Sequence, residues 1–191
     1  VAYAREHDVD LIVLATDPTD RGSDATRAVA LADVPVLAVP RAADVDRPTT
    51  DRPAFERLVI PVDGSGAAER AADHALELAE RYGAAIHAVY VVDTTVYDLA
   101  DAPRSVVGML EEGGRNAVAA VAEAATARNV PATTEVLRGV PAETVRTYAR
   151  DVDADLIVVG SRGRSGAGDP LLGSTTARLV RRADRPVLVV P

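Results

Sequence analysis

The sequence contains no cysteine and no tryptophan, and although 21 of its 191 residues are basic, none is lysine. Without cysteine there is no disulfide, no thiolate metal site and no cysteine nucleophile. Without lysine there is no Walker-type phosphate lysine, no Schiff-base lysine and no lysine general base; every cation is an arginine. Aromatic residues make up only 3% and Met109 is the sole methionine, so a base-stacking platform for single-stranded nucleic acid is missing. The formal net charge is −8 and the arginines are scattered among acids, which repels a nucleic-acid backbone. No apolar run is long enough to cross a bilayer, and the N-terminus lacks a basic region followed by an apolar stretch. A cytoplasmic protein without nucleic-acid or membrane partners is expected. His7, His74 and His87 share no metal-site spacing and read as surface or strand-face residues.

What is present suits a folded globular chain: 48% apolar and 26% charged residues. The length accommodates one domain with a full core but not two of ordinary size, so any second unit is partial. The acidic, aspartate-rich composition fits either a salt-adapted source or codon bias.

The chain repeats itself. Tyr3-Ala4-Arg5 and Asp10-Leu11-Ile12-Val13 recur as Tyr148-Ala149-Arg150 and Asp155-Leu156-Ile157-Val158, at a constant offset of 145 residues. Pro35-Val36-Leu37-Ala38-Val39-Pro40 recurs as Pro186-Val187-Leu188-Val189-Val190-Pro191 at an offset of 151, so the first copy is six residues shorter in between. Nothing ahead of Val1 corresponds to residues 57–145. Residues 1–40 therefore read as the C-terminal remnant of a first domain, with tandem ancestry expected. Residues 41–56, with two prolines and no apolar period, read as a linker, and residues 57–191 as a complete domain.

Within the complete domain, short β-branched runs alternate with helical stretches, the order that builds a parallel sheet covered by helices. Five strands are expected, at Leu58–Val62, Ala85–Val92, Thr133–Leu137, Leu156–Gly160 and Val187–Val190. A helix over Ala67–Tyr82 carries Ala67, Ala71, Ala75, Leu78 and Tyr82 on one face and stops at Gly83. A second lies within Ser105–Asn129, where Gly108, Gly113 and Gly114 each cost about 1 kcal/mol against alanine, and a break near Gly113 is expected. Pro141 opens a third, and Gly173-Ser174 a fourth.

Two loops carry the chemistry. The stretch from Val159 to Thr176 joins a strand end to a helix start and contains Gly160, Gly163, Gly166, Gly168 and Gly173. Unpaired N–H groups and the positive end of the helix dipole favour an anion there, and glycine lets a phosphate approach the backbone. Ser174, Thr175 and Thr176 add hydroxyl donors, with Arg162 and Arg164 as supplementary cations. The competing reading is a surface loop whose glycines make turns and whose Ser174 caps the last helix. The second loop, Pro61-Val62-Asp63-Gly64-Ser65, follows the first strand, where a doubly wound sheet reverses its order and ligands lodge. Asp63 would accept hydrogen bonds from a ribose or act on a metal through water; alternatively it serves as a turn or helix-cap carboxylate.

The spacing Gly160-x2-Gly163-x9-Gly173-Ser174, with the aspartate loop, Tyr90-Val91-Val92-Asp93 and the closing Arg185-Pro186-Val187-Leu188-Val189-Val190, resembles the ATP-binding type of the universal stress protein family over residues 57–191. The resemblance implies an α/β fold with a doubly wound five-stranded parallel sheet of order 3-2-1-4-5, helices on both faces, and a partial second copy at the N-terminus. It implies that Val62, Asp63 and Val91 surround an adenosine, that Val159, Gly160 and Gly163 line the loop floor, and that Gly173, Ser174, Thr175 and Thr176 hold phosphates. The ligand would be ATP, ADP or AMP, with Mg2+ or Mn2+. The first copy replaces Gly160 and Gly163 by Ala15 and Pro18 and Thr175 by Asp24, while keeping Gly22-Ser23, so it is not expected to bind a nucleotide.

The resulting expectation is a nucleotide-dependent regulatory module of the stress-response type. The alternatives are a slow ATP hydrolase or self-phosphorylating enzyme and a ligand-free assembly module. The resemblance also implies association through the last strands. Val36–Val39 and Val187–Val190 are expected to pair antiparallel within one chain as a pseudo-dimer, or between chains in a homo-oligomer.

Overall fold

The computed structural model describes residues 1–17, 23–41, 55–95, 103–163 and 172–191. Residues 1–41 form α1 (Ala2–Glu6), β1 (Ile12–Thr16), α2 (Ser23–Leu31) and β2 (Val36–Pro40). From Arg57 onward the order is β3 (Arg57–Pro61), α3 (Gly66–Tyr82), β4 (Ala85–Asp93), α4 (Arg104–Ala127), β5 (Ala132–Gly139), α5 (Pro141–Asp151), β6 (Leu156–Gly160), α6 (Ser174–Arg182) and β7 (Val187–Val190).

Local chemistry sets these boundaries. Ser65 caps α3 by accepting a 3.2 Å hydrogen bond from the Ala68 N–H, and Gly83 ends that helix in the left-handed region at φ 69°. Pro141 occupies the first turn of α5, where its missing N–H leaves no bond unmade. The expected break near Gly113 does not occur: α4 runs unbroken from Arg104 to Ala127. The reason is tertiary. Gly114 lies against the Tyr90 ring so closely that a Cβ there would sit 2.5 Å from Tyr90 Cδ1, and packing on β4 outweighs the poor helix propensity of glycine.

The strands form a single sheet in the order β1-β2-β7-β6-β3-β4-β5. The five strands expected within residues 57–191 are β3 to β7, and β1 and β2 of residues 1–40 join them along the edge of β7 to make seven. The β2–β7 pairing is antiparallel, as expected for these two segments, and the other ladders are parallel. One face packs Leu58, Ile60, Ile86, Leu156 and Val158 under the alanines of α3 and under Val118 and Val121 of α4. The opposite face packs Val59, Val89, Ile157 and Val189 under α5 and α6, with Val29 of α2 in the same cluster. At about 1.5–3 kcal/mol for each fully buried aliphatic side chain, these two layers supply most of the drive to fold.

The sequence repeat has a conformational counterpart. Ile12 pairs with Val36 in β1–β2 as Ile157 pairs with Val187 in β6–β7. The Ile12 N–H donates to Pro35 O at 3.0 Å, and the Ile157 N–H donates to Pro186 O at 3.0 Å. Asp8 and Asp153 both take positive φ, 48° and 52°, followed by matching bonds from Val9 N–H to Ala4 O and from Ala154 N–H to Ala149 O.

Candidate functional site

β3, β4 and β6 lie side by side in the sheet. A crevice of about 590 Å³ opens at their carboxyl ends. Its wall includes Val62, Asp63, Val91, Val159, Gly160, Gly163, Gly173, Ser174, Thr175 and Thr176, so all ten residues singled out from sequence come together, with Arg162 beside them. Arg164 and the rest of residues 164–171 lie outside the described residues. A wider groove of about 850 Å³ lies between α4 and β5, but its lining of alanine, valine and threonine with Arg115 and Glu123 has no strand-end loop and no helix N-terminus.

The two ends of the glycine-rich loop are held together by backbone bonds. Ser161 N–H donates to Val190 O at 2.7 Å and Gly173 N–H donates to Ser161 O at 2.9 Å. Gly173 consequently sits against the Gly163 and Arg162 backbone, with a hypothetical Cβ 3.4 Å from Gly163 N. α6 then starts with Gly173 at its N-cap and no side-chain cap, so Ser174 does not serve as the capping residue. The first-turn residues Ser174, Thr175 and Thr176 lie on the crevice wall, and the unpaired N–H groups of a helix start favour an anion. Thr176 differs from its neighbours. Its hydroxyl is buried and donates to Gly160 O at 2.8 Å, tying the start of α6 to the end of β6.

Gly160 and Gly163 are needed for separate reasons. A Cβ at Gly160 would lie 2.6 Å from the carbonyl carbon and oxygen of Ala67, because the first turn of α3 rests on the end of β6. A Cβ at Gly163 would lie 2.7 Å from Asp63 Oδ2. Asp63 in turn accepts from the Ser65 N–H through Oδ1 at 2.9 Å, so it shapes the turn into α3 while its other oxygen faces the glycine loop. The turn role and a position on the crevice wall therefore coexist in one side chain.

The crevice wall also includes Tyr90 and Asp93 of β4, Leu110 of α4, and Pro141 and Val145 of α5, which the sequence reading did not select. Asp93 was accessible to it, being an aspartate at a strand end like Asp63; here Oδ1 accepts from the Thr95 N–H and hydroxyl, each at 2.7 Å. Leu110 carries no sequence signal, because only the crossing of α4 over β4 brings it near. Among the described residues no three His, Cys, Asp or Glu side chains gather as a metal cluster, and no helix is long and apolar enough to cross a membrane. His87 lies toward the amino end of β4, away from the crevice, hydrogen-bonded at 2.9 Å to the Tyr148 hydroxyl.

The equivalent place in residues 1–40 is built differently. Ala15 stands in β1 where Gly160 stands in β6, while Pro18, Gly22 and the side chain of Asp24 lie outside the described residues.

The universal stress protein family model matches residues 54–191. A universal stress protein of Methanocaldococcus jannaschii is 38% identical over 139 residues, spanning 71% of this chain and 82% of that protein. A universal stress protein solved in complex with cAMP is 25% identical, with a TM-score of 0.56 over 72% of this chain and 98% of that one. At the level of fold, a putative universal stress protein of Pseudomonas aeruginosa matches 100% of this chain with 66% of its own length, at a TM-score of 0.69 and 18% identity.

Proposed function

This chain belongs to the universal stress protein family, and from that premise we propose that residues 57–191 are a regulatory module that takes one adenine nucleotide, ATP or its products ADP and AMP. The observation that carries this reading is the convergence of two loops and one helix start on a single crevice at the strand ends. Its volume of about 590 Å³ lies within the roughly 300–1,000 Å³ of small-molecule sites. Val62, Asp63 and Val91 form the adenosine end, Val159, Gly160 and Gly163 the floor, and Gly173, Ser174, Thr175 and Thr176 the phosphate end. Thr176 contributes its backbone N–H, its hydroxyl being engaged by Gly160. The cAMP complex of a relative supports an adenine nucleotide as the ligand class.

Mg2+ or Mn2+ fits this crevice only as a companion of the phosphates. Among the described residues Asp63 and Asp93 are the carboxylates on its wall, and such ions are commonly held by one or two carboxylates together with phosphate oxygens. The ion would neutralise phosphate charge, with Asp63 as its protein partner.

We read residues 1–40 as the C-terminal part of a second copy of the same domain and residues 41–56 as the linker between the copies. The matching register, hydrogen bonds and positive-φ aspartates of the two segments support this. One chain then carries one nucleotide. Mass spectrometry of nucleotide released from the denatured protein, compared between the native chain and Gly163→Pro, tests the assignment. The native chain should release close to one equivalent and the variant little. Equal occupancy of the two proteins would refute it.

A further inference from the structure

The helices on the two faces of the sheet carry opposite charge. α3 and α4 hold seven acidic residues against four arginines, whereas α5 and α6 on the other face hold two against five. In a chain of formal net charge −8, the α5–α6 layer is therefore locally basic. Between these two helices lies a pocket of about 310 Å³, lined by Ala142, Glu143 and Arg146 of α5 and by Arg178, Leu179 and Arg182 of α6. None of the six lines the crevice at the strand ends, so the two cavities are separate.

Helical spacing brings the cations together. Arg178 and Arg182 are one turn apart on α6, and Arg146 follows Ala142 by one turn on α5, so three guanidinium groups border one opening. Ala142 and Leu179, 5% and 1% exposed, give the pocket an apolar floor. Arg182 meets Glu143 at 3.6 Å, with both side chains mostly exposed. Arg146 stands apart from the other half-buried arginines. Arg57 donates to Val152 O at 2.7 Å, Arg128 to Asp73 Oδ1 at 3.4 Å and Arg185 to Asp153 Oδ1 at 2.8 Å. Among the described residues no hydrogen bond or ion pair engages Arg146, or its exposed neighbour Arg178. A half-buried guanidinium without an oxygen partner loses hydration uncompensated, a cost that a bound anion removes.

We propose that this pocket is a second anion site, which takes a phosphate group, free or as a small monoester. Three arginines and one glutamate leave two positive charges, matching a phosphate of about −1.5 to −2 at pH 7. Guanidinium forks suit phosphate oxygens, and Arg178 and Arg182, which repel each other at one-turn spacing, gain a shared counter-charge. The volume lies at the lower end of the roughly 300–1,000 Å³ of small-molecule sites, room for one phosphate with a small organic group.

The test follows the arginine Nε–H resonances of the full chain by NMR during titration with inorganic phosphate and, separately, with glycerol phosphate. Those of Arg146 and Arg178 should shift and saturate with a dissociation constant on the order of 1 mM. Arg178→Gln, a change at an exposed position, and Arg146→Gln should each weaken binding roughly tenfold. Gly163→Pro, which alters the crevice, should leave it unchanged. Tighter binding of glycerol phosphate identifies a monoester as the occupant, and equal or weaker binding identifies free phosphate; both results uphold the site. Shifts that do not saturate, or that are equally large at Arg81 and Arg104, would reduce the effect to general charge attraction and overturn the proposal. So would binding that survives both glutamine variants, or binding that Gly163→Pro removes, since the anion would then sit in the crevice.

Discussion

Leu37 of β2 pairs directly with Leu188 of β7, the residue that occupies the same position in the sequence repeat. The flanking pairs are reciprocal: Val36 opposes Val189, the repeat partner of Ala38, and Ala38 opposes Val187, the repeat partner of Val36. A local two-fold axis therefore passes between Leu37 and Leu188, the geometry of a symmetric dimer contact realised within one chain. Antiparallel pairing removes the exposed edge from both strands at once.

Leu37→Asp places a carboxylate on this axis among apolar neighbours, where its desolvation is costly. Leu37 is only partly buried, so a loss of about 1–3 kcal/mol is expected, confined to the junction. Hydrogen exchange should accelerate in β1 and β2 while β3, β4 and β6 keep their protection. Acceleration throughout the sheet would show that the two halves unfold as one unit.

Gly160 and Gly163 should respond to alanine in different ways. At Gly160 the added methyl meets the Ala67 backbone at 2.6 Å, which cannot move without shifting α3, so Gly160→Ala should cost about 1–3 kcal/mol of stability. At Gly163 it meets the Asp63 carboxylate at 2.7 Å, the end of a side chain that can rotate. Gly163→Ala should leave the thermal midpoint within a degree or two and weaken ATP binding roughly tenfold, about 1.4 kcal/mol, in calorimetric titration. A large stability loss at Gly163 would contradict this division.

The contrast shows which parts of the molecule were legible in the residues. The alternation of β-branched runs with amphipathic stretches marks each element from β3 to β7, because period and punctuation are local properties. The glycines, the hydroxyls at the start of α6 and Asp63 were marked by their places at strand ends and a helix start, whereas Val62, Val91 and Val159 followed from the family resemblance. The unbroken course of α4 was not accessible, since it depends on Gly114 meeting Tyr90 across the layer. Nor was the engagement of the Thr176 hydroxyl by Gly160, a contact between residues 16 apart that decides which polar groups are left for a ligand. The joining of residues 1–40 to the sheet through β2 and β7 was expected from the family resemblance and not from any local pattern.

His87 gives stability a pH dependence. Burial lowers its pKa below the usual 6.5, Arg57 adds to the effect, and Glu135 opposes it. The fold therefore holds the neutral ring, hydrogen-bonded to Tyr148, and the unfolded chain takes up the proton first. Stability should be full above pH 6.5 and fall as the pH drops from there through the lower folded-state pKa. The slope should stay below the roughly 1.4 kcal/mol per pH unit of a whole proton, because the ring is only half-buried. Urea unfolding between pH 7.5 and 5.5 measures it, and His87→Gln should flatten the profile. A profile unchanged by His87→Gln would remove the residue from the account.

Adjacent glycines in α4 should give opposite results. Gly113 has nothing within 4 Å of its Cβ direction, so Gly113→Ala should gain up to about 1 kcal/mol from helix propensity alone. Gly114→Ala gains the same propensity but drives a methyl into the Tyr90 ring, at 2.5 Å from Cδ1 and 3.0 Å from Cε1. Overpacking of this kind costs about 1–3 kcal/mol, which outweighs the propensity gain and leaves the variant less stable. Tyr90 also lies on the crevice wall, so its displacement should weaken nucleotide binding in Gly114→Ala but not in Gly113→Ala. Thermal unfolding with and without ATP separates the two effects. If both variants were stabilised equally, the contact between α4 and Tyr90 would not be what carries the helix through Gly113 and Gly114.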